Sequence, residues 1–183
     1  MSQINPTDPF VSARLLMRPP VADDIARFYA IFGDPDTQRF NPAGPIANVE
    51  LAQQVLAERI EKWHRHGYDS WALALREQPE RVIGFGGLSW SLLGTQHRVN
   101  LGYRFDTQVW GMGLATEMAL ASLKFGFEGL AMNEIFAIVR ENHQASRHVL
   151  EKAGLRLVDT LDDAPGNKPS LVYSMMRSEY QDC

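Results

Sequence analysis

The sequence is poor in cysteine and has no excess of basic charge. Its one cysteine, Cys183, is the last of 183 residues, so a disulfide within the chain is excluded and a catalytic thiol is not expected. Lys and Arg together number 18 and Asp and Glu 22, which gives a formal net charge of −4. Because nucleic-acid binding relies on a basic face that neutralises phosphates, we exclude nucleic acid as a main partner.

The sequence also lacks the signals of a membrane or exported protein. No apolar run approaches the roughly 18 residues that a membrane-spanning helix needs. The start, MSQINPTDPF, has neither the basic nor the apolar region of a signal peptide. We therefore predict no membrane partner and a cytoplasmic location. No cysteine or acidic cluster at ligand spacing accompanies His64 and His66, so no metal site is predicted.

What is present is the composition of an ordinary globular protein, with 45% hydrophobic and 22% charged residues. The length predicts a single domain over residues 1–183. Alternating apolar residues indicate strands, and apolar residues spaced three and four apart indicate helices. The predicted strands are residues 14–18, 70–75, 82–90, 98–105, 134–139, 155–159 and 171–176. The predicted helices begin near residues 24, 48, 114 and 142 and end near residues 32, 66, 127 and 153.

This order of elements predicts an α/β fold (α+β mixed), with one central mixed sheet and flanking helices. We expect Asp23 and Asp24 to cap the first helix, Asn48 to open the second and Asn142 to cap the last one. Three of the nine residues from Val82 to Trp90 are glycine, which predicts a bulge or a close neighbour there. Polar segments predict a turn at 77–80 and loops at 92–96 and 162–169.

The stretch from Gln108 to Glu117, QVWGMGLATE, places two glycines immediately before a predicted helix. A dinucleotide fingerprint needs a third glycine where Thr116 stands, and a Walker motif needs Gly-Lys-Ser/Thr, which is absent here. A helix N-terminus with glycines before it is suited to a diphosphate, because its amide N–H groups are free and no Cβ blocks the approach. On spacing alone, a turn that serves only packing stays equally open.

The pattern Gln108-x-x-Gly111-x-Gly113 resembles the Q/R-x-x-G-x-G/A loop of the GNAT superfamily, the acyl-CoA-dependent N-acetyltransferases. Leu101-Gly-Tyr103 and the segment SRHVLEKAG at 146–154 resemble one branch of it, which includes the RimJ/RimL-type enzymes that acetylate N-terminal amines of ribosomal proteins. The resemblance covers about residues 12–177, which would be the core of the domain.

The resemblance implies that acetyl-CoA is the cosubstrate and that no metal takes part. It also implies a mostly antiparallel sheet in which the strand before the glycines and the strand at 134–139 are parallel but splayed, with the pantetheine arm in the gap. Backbone groups of Leu101 and Tyr103 would pair with that arm, and amides of the loop would hold the pyrophosphate. The implied cosubstrate-binding residues are Leu101, Gly102, Tyr103, Gln108, Val109, Trp110, Gly111, Met112, Gly113, Leu114, Ala115, Asn142 and Ser146.

Three residues are the catalytic candidates. The resemblance implies direct attack of a primary amine on the thioester, with the backbone amide near Gly102 and Tyr103 polarising the carbonyl. Ser146 would assist the leaving sulfur. Many relatives carry glutamate at the position of Asn100, and an amide cannot take a proton but can orient a water or the amine. His143, at the start of the last predicted helix, is a candidate base or pocket wall.

The acceptor amine is left open between a protein N-terminus and a small molecule. It depends on the loops at 40–48, 90–96 and 162–169, whose shapes do not follow from composition. Because Asn100 replaces a glutamate, a catalytically degenerate CoA-binding sensor or an interaction protein is the alternative function. The expected oligomeric state is a monomer or a homodimer.

Overall fold

The chain forms one mixed sheet that is covered by helices on both faces. The structure, a computed structural model, describes residues 9–93, 95–163, 166 and 168–180. Cys183 and part of the polar segment 162–169 therefore lie outside the described residues, and the assignment of all of 1–183 to one domain with a core at 12–177 stays a prediction. No helix within the described ranges is long and apolar enough to cross a membrane.

Eight strands and four α-helices make up the regular structure of the described residues. The strands are β1 (Phe10–Val11), β2 (Leu15–Arg18), β3 (Ser70–Leu75), β4 (Gln78–Leu93), β5 (Gln96–Phe105), β6 (Glu134–Arg140), β7 (Arg156–Leu161) and β8 (Ser170–Met176). The helices are α1 (Ile25–Phe32), α2 (Val49–His66), α3 (Leu114–Lys124) and α4 (Gln144–Lys152). A π-helical turn, Phe125–Gly129, continues α3.

The strand order is β1-β2-β3-β4-β5-β6-β8-β7, and neighbours are antiparallel except β5 and β6. This confirms the predicted fold class. The strict alternation of β5 is also confirmed: Val99, Leu101 and Phe105 are buried in the core that contains Leu114 of α3 and Leu150 of α4. The opposite face of the sheet packs on α1 and α2 through a second core. Its buried members are Phe28, Ile31, Ala52, Leu56, Ala72, Val82 and Phe85.

The glycines of β4 allow β5 to approach very closely, as predicted. A Cβ on Gly84 would lie 2.7 Å from the carbonyl oxygen of Arg104, and one on Gly86 would lie 2.6 Å from the Cβ of Tyr103. The register of β3 against β4 shifts between Leu73 and Ala74, which is the expected irregularity. These close contacts position Tyr103 and Arg104 of β5, which line the site described below.

The hairpins are longer than predicted. Leu75 of β3 pairs with Gln78, so the turn is shorter than 77–80, and a second register shift leaves residues 79–81 without a partner on β3. Pro79 lies in this unpaired segment, where its missing N–H breaks no ladder bond. The predicted loop at 92–96 is wrong in the same way, because Leu92 and Leu93 pair with His97 and Gln96.

Two of the predicted helix caps are wrong. The Asp24 carboxylate binds Arg18 at 2.7 Å and the amide N–H of Val21 at 2.9 Å, and it does not cap α1. Asn142 lies in a turn closed by the His143 amide and the Arg140 carbonyl, so α4 starts at Gln144 with His143 in the N-cap position. The predicted start of α2 at Asn48 is confirmed, and Asn48 caps the helix, because its Oδ1 accepts from the Leu51 amide at 2.8 Å.

Candidate active site

The parallel strands β5 and β6 diverge at the centre of the sheet. They keep one paired position, Asn100 with Phe136. Beyond that pair a cavity of about 400 Å³ opens between residues 101–104 of β5 and residues 137–140 of β6. The predicted splay is therefore present, and backbone edges of both strands face the gap.

The cavity reaches both faces of the sheet. Tyr103 belongs to the β5 face that packs on α3 and α4, whereas Asn100, Gly102 and Arg104 alternate onto the face of α1 and α2. Both sets line the same cavity. A molecule bound from one side of the sheet can thus meet a molecule bound from the other.

Tyr103 and Ser146 form a hydrogen-bonded hydroxyl pair in this cavity. The Tyr103 hydroxyl lies 2.9 Å from Ser146 Oγ, which belongs to the first turn of α4. Burial raises the pKa of Tyr103 to about 12, and the hydrogen bond to Ser146 opposes that rise. Tyr103 is therefore protonated at neutral pH and can donate to Ser146, which leaves the Ser146 proton free for a third group.

His143 closes one side of the cavity. Its ring stacks on Phe40 with centroids 4.0 Å apart and planes 15° apart. Burial, and then the charge of Arg104, lower the pKa of His143 to about 4. The imidazole is therefore neutral at pH 7, and its conjugate acid would be a strong acid for a histidine.

Two polar groups in the cavity lining lack partners among the described residues. These are the Oδ1 of Asn100 and the Nε of Arg104, both buried. The guanidinium of Arg104 makes a 3.5 Å contact from Nη1 to the Tyr103 carbonyl. Buried polar groups are normally satisfied, so both atoms are candidates for contact with a bound molecule.

The segment that follows β5 presents free backbone amides. Gly111 and Gly113 have φ angles of +77° and +76°, which L-residues rarely adopt. None of the hydrogen bonds within the described part of the chain uses the amide N–H groups of residues 111–116. These groups lie at the N-terminus of α3, where the helix dipole favours an anion.

Charged side chains brace this loop. Asp106 accepts the Gln108 amide at 3.0 Å and pairs with Arg27. Although burial opposes it, these contacts lower the pKa of Asp106. On the other side, Arg14 binds Glu117 through Nε at 2.7 Å and the Met112 carbonyl through Nη1 at 2.8 Å. These contacts hold the loop in shape.

The sequence-predicted site residues fall into three places. Asn100, Leu101, Gly102, Tyr103, His143 and Ser146 line the cavity. Residues 108–115 form the loop and the first turn of α3. Asn142 is exposed and lies outside the cavity lining.

Three arginines at or near the site were not predicted. Arg104 was detectable, because it is a charged residue that alternates onto the same face of β5 as Asn100. Arg59 of α2, which also lines the cavity, and Arg14 beside the loop lack a motif, since tertiary packing brings them there. The described residues hold no group of three His, Cys, Asp or Glu side chains that could bind a metal ion.

Comparison with known proteins agrees with this geometry. The family model described as "Acetyltransferase (GNAT) domain" matches residues 14–156. The uncharacterized N-acetyltransferase YoaA of Bacillus subtilis is 23% identical over 144 residues, which cover 78% of this chain and 80% of that protein.

Solved structures share the fold. A GNAT-family acetyltransferase from Bacillus anthracis superposes with a TM-score of 0.79 at 21% identity, covering 93% of this chain and 99% of that one. Mycobacterium smegmatis RimJ in complex with CoA-disulfide superposes with a TM-score of 0.73 at 20% identity, covering 92% of this chain and 84% of that one. With a family model that matches most of its length and a splayed sheet of the expected kind, the chain belongs to the GNAT acetyltransferase family.

Proposed function

We propose that this acetyltransferase transfers the acetyl group of acetyl-CoA to a primary amine by direct attack in a ternary complex. The observation that carries the proposal is the single paired position between β5 and β6, followed along the chain by the free amides of residues 111–116. An extended arm fits the gap, and a diphosphate fits the amides. The net charge of −4 does not oppose this, because backbone amides rather than lysines would hold the phosphates.

That placement supports the cosubstrate-binding residues that the resemblance implies. Backbone groups of Leu101, Gly102 and Tyr103 would pair with the pantetheine arm, and the free amides of residues 111–115 would bind the pyrophosphate. The amides of residues 108–110, which the resemblance also implied, already donate to Asp106 and Thr107 within the loop. Bound there, acetyl-CoA supplies an activated acyl group at the Tyr103 end of the gap. Arg14 adds a positive charge at the same loop, since its Nη2 lies 3.6 Å from where a Cβ on Gly113 would be. Asn142 is exposed and is the weakest of the predicted contacts.

Ser146 is the residue we assign to the leaving sulfur. Its hydroxyl can donate a hydrogen bond into the cavity while accepting one from Tyr103, whose hydroxyl lies 2.9 Å away. A charge-assisted hydrogen bond is stronger than a neutral one, so the contact would strengthen as negative charge develops on sulfur. The backbone amide near Gly102 and Tyr103 would stabilise the oxyanion, and one such donor contributes about 3 kcal/mol in other enzymes.

Asn100 and His143 are assigned to the acceptor side of the reaction. The buried and unpartnered Oδ1 of Asn100 can accept a hydrogen bond from the incoming amine and orient it. His143 is uncharged at pH 7 and forms a wall with Phe40, whereas its pKa of about 4 makes it a poor base for an ammonium group. The proton of the amine would then leave through water.

The acceptor and the branch are proposals of their own. Similarity to a RimJ structure supports a RimJ/RimL-like branch and, with it, a protein N-terminus as acceptor; a small-molecule amine is the other candidate. The cytoplasmic location and a monomeric or dimeric state stay predictions.

The test is thermal unfolding with acetyl-CoA, with NAD and ATP as control ligands. At about 100 times its dissociation constant, a ligand adds roughly 2.7 kcal/mol, which raises the Tm of a domain of this size by about 5–10 °C. A shift with acetyl-CoA alone, followed by turnover with an amine panel, supports the proposal. No shift would contradict acetyl-CoA binding, and a shift without turnover would favour the degenerate sensor.

A further inference from the structure

The acceptor side of the cavity carries more positive charge than the described residues neutralise. The ionised side chains that line the cavity are Arg59, Arg104, Arg140 and Asp163. Arg140 and Asp163 pair with each other at 3.1 Å. Arg59 and Arg104 remain, and both belong to the part of the cavity on the α1/α2 face.

The positive charge of Arg104 is less neutralised by nearby acidic groups than that of Arg59. Its Nε is buried without a partner, and no carboxylate among the described residues forms a salt bridge with it. Burial lowers its pKa, which reflects the cost of holding the charge there. A buried guanidinium without a counter-ion is strongly unfavourable unless a ligand completes it.

Arg59 adds a second cation from α2. Its guanidinium lies over the rings of Phe28 and Phe32, 5.3 Å and 4.8 Å from their centroids. The negative charge of Asp69 attracts the Arg59 guanidinium, but the Asp69 carboxylate also accepts a hydrogen bond from the Ser70 amide at 2.7 Å. Burial, and to a smaller extent the charge of Arg104, lower the pKa of Arg59, and both arginines line the same cavity.

We infer that the acceptor amine carries a negatively charged group, a carboxylate or a phosphate, that Arg59 and Arg104 bind on the α1/α2 side of the cavity. The inference rests on the proposed function and names the class of its acceptor. Guanidinium groups bind carboxylates and phosphates through bidentate hydrogen bonds. The anion would hold the molecule with its amine toward Asn100 and Ser146, which line the same cavity.

The same charges help the chemistry. An acceptor amine must lose its proton before it attacks, and nearby positive charge lowers the pKa of an ammonium group. Arg104 already has this effect on His143, after the larger effect of burial. In a protein of net charge −4, a cationic cavity also selects anionic molecules against neutral and cationic amines.

The experiment compares kcat/KM for pairs of acceptors that differ in one charge. The pairs are amino acids and their carboxamides, phosphoethanolamine and ethanolamine, and short peptides with Asp or Asn as second residue. The wild-type protein is expected to prefer the charged member by about 10- to 100-fold, the range for hydrogen bonds to charged groups. Which pair shows the preference separates a carboxylate from a phosphate, and a free amino acid from a peptide.

Variants assign the preference to the two arginines. Arg104→Gln and Arg59→Gln are expected to remove most of the preference by raising KM for the charged acceptor. Arg104→Lys keeps the charge but loses the bidentate geometry, so its ratio of kcat/KM values for the two acceptors should be intermediate. Arg65→Gln is the matched control, because it changes an exposed arginine of the same helix as Arg59. Thermal unfolding verifies that each variant is folded.

Three results would overturn the inference. Equal kcat/KM within every pair would do so while leaving the acetyltransferase proposal intact. A loss in the arginine variants that is confined to acetyl-CoA affinity and equal for all acceptors would place the guanidinium groups on the cosubstrate. No turnover with any charged acceptor, although acetyl-CoA raises the Tm, would count against an anionic acceptor; without that Tm shift, the proposed function would fail as well.

Discussion

Side chains around the β5–β6 gap differ in how strongly burial changes their chemistry. Tyr103 is held in its protonated form and His143 in its neutral form, and both shifts are caused first by burial. Ser146 shares a hydrogen bond with Tyr103 and is half-buried. The gap therefore contains hydroxyl donors and an amide but lacks a strong base among its described lining, which favours a reaction that starts from a neutral amine.

The first prediction concerns the hydroxyl pair. Ser146→Ala should lower kcat by about 10- to 100-fold, because it removes a hydrogen bond to a group that becomes charged. Tyr103→Phe should lower kcat by about 3- to 10-fold, since Tyr103 acts through Ser146. Steady-state kinetics with saturating acetyl-CoA measure both effects.

The double variant decides whether the two hydroxyls act as one unit. If they do, Tyr103→Phe should have almost no further effect in a Ser146→Ala background, because coupled residues are not additive. Additive losses, or an unchanged kcat in Ser146→Ala, would contradict the assigned role.

Among the site residues, the sequence predicted those that belong to recognisable motifs and missed those that do not. Ser146 and Asn100 were found because each stands at a fixed distance from a recognisable segment. Arg59 was missed because its place in the cavity depends on how α2 packs on the sheet. Asn142 was expected to cap α4, but the backbone turn after Arg140 places His143 there instead.

Among the elements, the loop between β5 and α3 connects local conformation with binding. Gly111 and Gly113 both need a left-handed backbone, and a Cβ on Gly111 would meet nothing within 4 Å. Packing therefore does not explain the absence of a side chain at Gly111. The amides of residues 112–116 that follow have no hydrogen-bond partner among the described residues, and open space lies where a Cβ on Gly111 would project.

The second prediction tests whether the left-handed backbone at Gly111 serves acetyl-CoA binding. Gly111→Ala should lower the stability by about 1–2 kcal/mol, the cost of a left-handed conformation for an L-residue, and should weaken acetyl-CoA binding by about 10- to 100-fold through lost amide contacts. Gly67→Ala is the matched control, because Gly67 has a φ of +74° at the end of α2, far along the chain from the loop. Denaturant unfolding and calorimetric titration measure the two effects.

The two variants should thus lose similar stability but differ in affinity. An acetyl-CoA affinity that falls equally in both would mean that general destabilisation is responsible. An affinity that is unchanged in Gly111→Ala would remove the loop from the binding site.

Element types were more predictable than element ends. The alternation of β5 and the apolar repeat of α2 each reflect one buried face, which the sequence records directly. The sequence does not record the lengths of the β4 hairpins in this way. Strand pairing continues through Gln78 at one end and Leu93 at the other, although the local sequence indicates turns. Pairing with a neighbouring strand outweighs local turn preference there.

For the whole molecule, the sheet consists of two antiparallel parts that meet at one parallel contact. β1 to β5 form one part and β6 to β8 the other, joined in register only at Asn100 and Phe136. The sequence predicted seven of these eight strands and missed β1, which has two residues. The splay itself came from family resemblance, since no local pattern encodes how far two strands diverge. His143 and Phe40 connect the two parts across the cavity, so their contact contributes to the stability of the whole fold.

The last prediction is a pH dependence of that stability. The pKa of His143 is about 4 in the folded protein against an ordinary 6.5, so the unfolded chain takes up the proton first as the pH falls. The free energy of unfolding should therefore decrease between pH 6.5 and 4 on account of this residue. In His143→Asn, which cannot bind the proton, unfolding in denaturant should show a smaller decrease over that interval. His148→Asn, which changes an exposed histidine of the same helix, is the control and should follow the wild type.

Carboxyl groups whose pKa is lowered change the stability mainly at lower pH. Glu117 has a pKa below its usual 4.5: burial raises it, but bonds from Ser12 and Arg14 outweigh burial and lower it. Its contribution is present above that value and is lost below it, in every variant alike. Loss of the Phe40 stack should lower the stability of His143→Asn at all pH values without changing the slope. Equal slopes in His143→Asn and the wild type would mean that His143 takes up its proton as readily in the folded protein as in the unfolded chain, and that the cavity wall is open to water.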